Sequence, residues 1–139
     1  MIKVFLDSNI IFSIVYIGDA QNKLYDIYFL SENNKLKVYI SDLVKLETEK
    51  NILSKKNGNY PFLKDILKKT IIVKDVFEEF RQKEINQLPL NDKIILSTAI
   101  HYKIDFFITG NKNDFNNLYF KKFDNTIVLK PSDFININF

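Results

Sequence analysis

Runs of apolar residues four to six long alternate along this chain with longer stretches in which apolar positions recur every three or four residues. Ile2, Val4, Phe5 and Leu6 form the first run, and such a near-continuous run predicts a strand buried on both faces. Asp7 follows it, Ser8 and Asn9 are turn and cap residues, and Ile10, Ile11, Ile14 and Val15 resume at helical spacing. Gly18 and Asp19 break that helix. A second helix is predicted over about 20–31, with Leu24, Ile27, Tyr28 and Leu30 on its apolar side. Residues 37–40 read as a second strand. Ser41 or Asp42 then caps a helix carrying Leu43, Val44, Leu46, Glu47, Ile52 and Leu53. A polar loop at 55–59 precedes a helix that Pro61 opens and that runs to Lys68. Residues 70–73 form a third strand, and 75–87 read as a helix with Val76, Phe77, Phe80 and Ile85 inward, stopped by Pro89. Asn91-Asp92 opens a further helix with Ile95, Leu96, Ala99 and Ile100 on its apolar face. Residues 106–109 are a fourth strand ending at Gly110, 114–119 a short helix, 126–129 a fifth strand, and 131–134 a closing turn.

Strands alternating with helices predict an α/β protein, a three-layer α/β/α sandwich around a central, mainly parallel sheet of about five strands. The 139 residues suit one domain, 1–139, with one core. The absence of cysteine removes disulfides, zinc–thiolate sites, iron–sulfur clusters and thiol nucleophiles. The N-terminal apolar run meets Asp7 after six residues, unlike a signal peptide. No apolar stretch approaches the roughly 20 residues of a membrane span, so a soluble cytoplasmic protein is expected. The net charge of +3 comes almost wholly from lysine, with Arg81 the only arginine; it permits a polyanionic partner without demanding one.

In an open α/β sheet, chemistry collects at the carboxyl ends of the strands. Asp7 lies at such an end, where it is either a helix cap or a reactive group. Glu47 lies among inward-facing positions of the helix after the second strand. Asp92 opens the helix before the fourth strand, in line with Ile95, Leu96 and Ala99, and Asp114 follows that strand. Acids converging at one end of a sheet repel one another unless a cation neutralises them. Mg²⁺ or Mn²⁺, which prefer oxygen donors, match such a set. Ions held this way activate water for attack on a phosphodiester without a histidine or serine nucleophile. The competing α/β chemistries lack their residues. Gly18, Gly58 and Gly110 are the only glycines, too few for a P-loop or a dinucleotide fingerprint. Asn9 stands where a phosphoaspartyl enzyme of the haloacid dehalogenase type carries a second acid.

Taken in order, these residues resemble the PIN domain family, metal-dependent nucleases that include the VapC-like toxins of bacterial toxin–antitoxin pairs. Val4-Phe5-Leu6-Asp7-Ser8-Asn9-Ile10 resembles the opening motif. Ile40-Ser41 with Glu47 resembles the second, Asn91-Asp92 through Ala99 the third, and Ile104 to Asn111 the fourth. The closing Ile127 to Phe134 is family-like as well. The resemblance implies a PIN-like fold, an endoribonuclease using Mg²⁺ or Mn²⁺ on RNA, and Asp7, Glu47, Asp92 and Asp114 as catalytic metal ligands. It also implies a cognate antitoxin and a homodimer. Ser8, Asn9 and Thr109 read as supporting residues. Asn111 departs from the pattern, standing where many members carry aspartate; its amide oxygen can still ligate but brings no charge, and Asp114 is the substitute acid. A depleted site of this kind also fits a PIN-like module that binds RNA or protein without cutting it.

Other charged and aromatic residues read as structural. Asp105 is expected outside the metal shell, Glu49 solvated on another helix face, and His101, the only histidine, at the surface. The lysine pairs 55–56, 68–69 and 121–122 read as solvated charge. Tyr16, Tyr60, Tyr102 and Tyr119 are able to stack bases, although most tyrosines and phenylalanines here read as core.

Overall fold

Val4, Phe5 and Leu6 are wholly shielded from solvent, so the first strand has cover on both of its faces. That is the arrangement the computed structural model shows, over residues 1–18, 22–78, 80 and 82–137, which are the ones described. The chain runs β1 (Ile2–Leu6), α1 (Ser8–Ile17), a 3₁₀ turn at Lys23–Tyr25, α2 (Asp26–Glu32), β2 (Leu36–Ser41), α3 (Asp42–Lys55), a second 3₁₀ turn at Asn57–Asn59, α4 (Tyr60–Lys68) and β3 (Ile71–Val73). It continues with α5 (Lys83–Asn86), α6 (Leu90–His101), β4 (Phe106–Ile108), α7 (Lys112–Phe115), β5 (Lys122–Phe123), β6 (Thr126–Leu129) and α8 (Pro131–Ile135).

The sheet order is β3-β2-β1-β4-β6-β5, parallel throughout except for the β5–β6 pair. β1 lies between β2 and β4, with Val4 level with Val38 on one side and with Phe106 on the other. The chain winds outward from β1 to β2 and β3, then returns to place β4 on the opposite flank of β1. The carboxyl ends of β1 and β4 therefore border the point where the winding reverses, which is where open α/β sheets form a crevice. Phe107 of β4 stacks on Phe5 and meets Phe115 of α7, with ring centroids 5.6 Å and 5.5 Å apart, and so fixes α7 against the sheet just past that crevice. α1, α3 and α4 pack on one another, and α3 also meets α6.

The α/β sandwich matches expectation, with differences in several of its elements. β5 is a sixth strand of two residues, too short to leave a periodic signal. The helix expected over 75–87 is only Lys83–Asn86; residues 79 and 81, and with them Arg81, lie outside those described. The described residues ahead of it are held by partners elsewhere in the fold. Thr98 Oγ1 accepts the Val76 N–H at 2.9 Å, Asn86 Nδ2 donates to the Phe80 carbonyl at 2.7 Å, and Asp75 Oδ2 accepts the Leu43 N–H of α3 at 2.8 Å. Phe77, expected inward, is half exposed under the Lys93 ammonium. The segment expected as helix 20–31 is a 3₁₀ turn followed by α2, and 19–21 lie outside the described residues. Pro89, expected as a stop, is the residue that caps α6. The short helix expected at 114–119 instead spans Lys112–Phe115. Gly18 closes α1 in the left-handed region at φ 66°, with Asn59 Nδ2 donating to the Val15 carbonyl beside it.

Candidate active site

Asp7 sits at the end of β1 and caps α1, so cap and candidate reactive group are the same residue. Its carboxylate is 2% exposed and fully engaged on the protein side. Oδ1 accepts the Ser8 N–H at 2.8 Å, and Oδ2 accepts the Thr109 hydroxyl at 2.8 Å and Asn9 Nδ2 at 3.2 Å. Burial pushes the carboxyl above the ordinary aspartate range, while the donors from Thr109, Ser8 and Asn9 oppose that. Asn9 ties the two strand ends together: its Oδ1 accepts the Gly110 N–H at 2.8 Å while its Nδ2 also reaches Thr109 Oγ1 at 3.3 Å. A Cβ on Gly110 would stand 3.2 Å from Asn9 Oδ1, so a hydrogen there lets β4 approach α1.

Thr109 is the hub. Its hydroxyl donates to Asp7 and accepts from Asn9 and from the Asn111 N–H at 3.1 Å, and its carbonyl accepts the Tyr119 hydroxyl at 2.9 Å. Thr109→Val keeps the shape and removes three polar contacts, leaving a buried carboxylate short of a donor. The expected cost is about 1–3 kcal/mol in urea unfolding, with no change in fold by circular dichroism.

Three more acids face this point. Glu47, on α3, is half buried, and its Oε1 is buried with no hydrogen bond. Burial and the charge of Asp7 raise its pKa, while Ser8 and Asn91 lower it. Asp92, in the first turn of α6, is pushed up to about 7 by burial, by the neighbouring Asp114 side chain, and by the charges of Asp7, Asp114 and Glu47. Asp114, on α7, is exposed and accepts Asn111 Nδ2 at 2.8 Å. The ion pairs found among the described residues are Lys69–Glu32, His101–Glu78 and Lys121–Glu84, so none of the four acids is neutralised by a cationic side chain there.

The four acids are thus within electrostatic reach of one another, yet among the described residues no three acidic or histidine side chains close into a ready-made metal cage. Repelling carboxylates with nothing between them spread apart, and one of them takes up a proton. The donor set fits a hard divalent cation: oxygen ligands only, a buried Glu47 oxygen lacking a partner, and an Asp92 carboxyl whose proton a cation would displace.

Asn111 was a candidate ligand; here it caps α7, accepting the Asp114 N–H and donating to the Asp114 carboxylate. Ser8 lies beside Glu47. Asp105 Oδ2 accepts the Lys3 N–H at 2.8 Å, away from the acids, and His101 is exposed on Glu78. Sequence reasoning missed the hydroxyl role of Tyr119, which was read as a base-stacking ring, and missed Asp75, whose charge reaches Glu47 from the segment after β3. Neither carries a local signal, because each acts across a tertiary contact.

A family model for the PIN domain matches residues 4–121. Among solved structures, the chain is similar to one in VapBC2 from Rickettsia felis bound to a DNA fragment from their promoter. That likeness has 20% identity and a TM-score of 0.64, covering 93% of this chain and 98% of that one. It is also similar to a chain of VapBC-1 from nontypeable Haemophilus influenzae, at 12% identity and a TM-score of 0.57, covering 94% and 99%. At these identities the likeness establishes a shared fold. A search of curated proteins finds no match.

Proposed function

The chain belongs to the PIN domain family, and from that premise we propose that it is a single-domain, Mg²⁺- or Mn²⁺-dependent endoribonuclease, the toxin component of a toxin–antitoxin pair. The observation that carries the reading is a set of four acids within electrostatic reach of one another, uncompensated by any described cationic side chain and including a buried, unpartnered Glu47 oxygen. Asp7, Glu47, Asp92 and Asp114 would hold the metal. When bound, the metal supplies an activated water and neutralises charge on the scissile phosphodiester.

The chain's own residues do the rest. Asp7 is fixed in one orientation by Ser8, Asn9 and Thr109, so the ligand nearest the sheet needs no reorganisation. Burial and the neighbouring acids favour the protonated form of Asp92 up to about 7, so Asp92 would be free to hold a cation only near neutral pH and above. The VapBC pairs among similar folds support an antitoxin partner, and the family supports RNA as substrate and a homodimer. No helix among the described residues is long and apolar enough to cross a membrane, which agrees with action in the cytoplasm.

A second reading, a PIN-like module that binds without cutting, draws on the Asn111–Asp114 hydrogen bond, which engages the fourth acid. Incubation of purified protein with single-stranded RNA separates the two. The nuclease reading expects cleavage in Mn²⁺ or Mg²⁺ that a chelator stops and Asp92→Asn removes. Intact metal binding with uncut RNA would favour the module.

A further inference from the structure

Beside the acids, on the α3 side, a cavity of about 300 Å³ opens to solvent, bordered by Leu43, Leu46, Glu47, Lys50, Asn51 and Asn91. The spacing explains it. Leu43, Glu47 and Asn51 are four residues apart on α3 and share one row of the helix surface, while Leu46 and Lys50 form the adjacent row. The cavity therefore begins at a proposed metal ligand and extends along α3 toward its C-terminal end, with Asn91 at the start of α6 as the opposite wall.

Its contents are unusual for a plain surface hollow. The Asn51 carboxamide makes no hydrogen bond, and the Lys50 ammonium no ion pair, to any described residue. Leu46 is 63% exposed although it flanks a buried turn of α3. An amide offers a donor and an acceptor side by side, the complement of a base edge. An aliphatic wall covers a base face, and an ammonium one turn away meets a phosphate. Unpaired RNA bases are read in this manner, splayed out and hydrogen-bonded along their edges. At about 300 Å³ the space is at the small end of ligand pockets and takes one nucleoside, not several.

We propose that this pocket is the subsite for one unpaired nucleotide of the RNA, next to the cleaved phosphodiester, with Asn51 reading the base edge, Leu46 packing on its face and Lys50 holding a flanking phosphate. The proposal rests on the ribonuclease reading for its substrate and adds the position at which sequence is selected. Asn51 and Lys50 lie outside the metal ligands, so they set preference and affinity without performing the hydrolysis.

The test is cleavage of a randomised pool of single-stranded RNA in Mn²⁺, with fragment ends sequenced, for wild type, Asn51→Ala and Lys50→Ala. Wild type is expected to show a base preference at one position beside the cut. Asn51→Ala should relax that preference by about tenfold or more. Lys50→Ala should weaken all sequences alike and lower the salt dependence by about one charge. Cleavage with no preference, or with the same preference in Asn51→Ala, overturns the subsite and leaves the ribonuclease standing. If wild type cuts no RNA, the ribonuclease reading falls, and photocrosslinking of 4-thiouridine RNA decides the pocket. A crosslink within residues 43–51 that Asn51→Ala removes upholds it as an RNA site, and a crosslink elsewhere or none overturns it.

Discussion

Asp7→Asn is expected to reduce metal-dependent RNA cleavage by about a thousandfold or more while leaving the fold intact. Asp7 is the innermost of the four acids and is 2% exposed, so water cannot stand in for the missing charge. The replacement is nearly isosteric, but it removes one anionic oxygen and turns an amide N–H₂ toward groups that now donate. Ser8 N–H can still donate to the amide oxygen, but the new amine faces Asn9 Nδ2 and a Thr109 hydroxyl that already accepts from Asn9 and Asn111. Burial already disfavours the ionised form of Asp7. Relief of that burial opposes the loss of these donors, so the variant should remain folded by circular dichroism, and a loss of activity in folded protein cannot then be ascribed to unfolding. Asp42→Asn serves as the control: Asp42 is an exposed acid in the first turn of the same helix that carries Glu47, and its removal should leave the cleavage rate within about twofold.

The second large effect is a pH dependence whose sign reverses with metal. In metal-free protein Asp92 keeps its proton up to about 7, whereas in the unfolded chain an aspartate releases it near pH 4. Between those limits the native state binds the extra proton, so stability is greatest at the acid end of the window and falls as pH rises through it. A divalent cation displaces the same proton. Its apparent affinity should weaken about tenfold for each pH unit below 7 if one proton is released, and level off above that. Differential scanning fluorimetry across pH 5.5–8.5, with and without Mn²⁺, reads both trends: a metal-free melting temperature that declines with pH, and a metal-induced rise that grows with it. Asp92→Asn should flatten both.

The parts of the fold legible in the sequence are those in which one local pattern serves one purpose. β1 is apolar at Val4, Phe5 and Leu6 because both faces are covered, and Asp7-Ser8-Asn9 ends it because the turn, the cap and the site coincide there. Ser41 capping α3 and Asp92 opening α6 are likewise local. What escaped the sequence is what tertiary partners decide. Residues 75–78 and 80 carry a helical apolar spacing, but Thr98 binds the backbone of Val76, Asn86 binds that of Phe80, and the Asp75 carboxylate holds the Leu43 N–H of α3, so these residues form no helix. Leu46 and Leu53 carry the apolar pattern of α3 yet face outward, because the buried residues of that helix are Val44, Thr48 and Ile52. Asn111 reads as a ligand by position, and only the structure shows its amide spent on the start of α7. The four acids were legible as a set; that Thr109 links Asp7, Asn9, Asn111 and Tyr119 was not, because those partners come from separate elements.

The central claim is that these acids converge on a divalent cation. Thermal unfolding of wild type and Asp7→Asn side by side, with and without millimolar Mn²⁺, tests it most directly. A cation at a hundred times its Kd stabilises the native state by about 2.7 kcal/mol, which in a chain of this size is a rise in Tm on the order of 10 °C. The account predicts that rise in wild type and its absence in Asp7→Asn. An unchanged Tm in wild type, or an equal rise in both proteins, would contradict it.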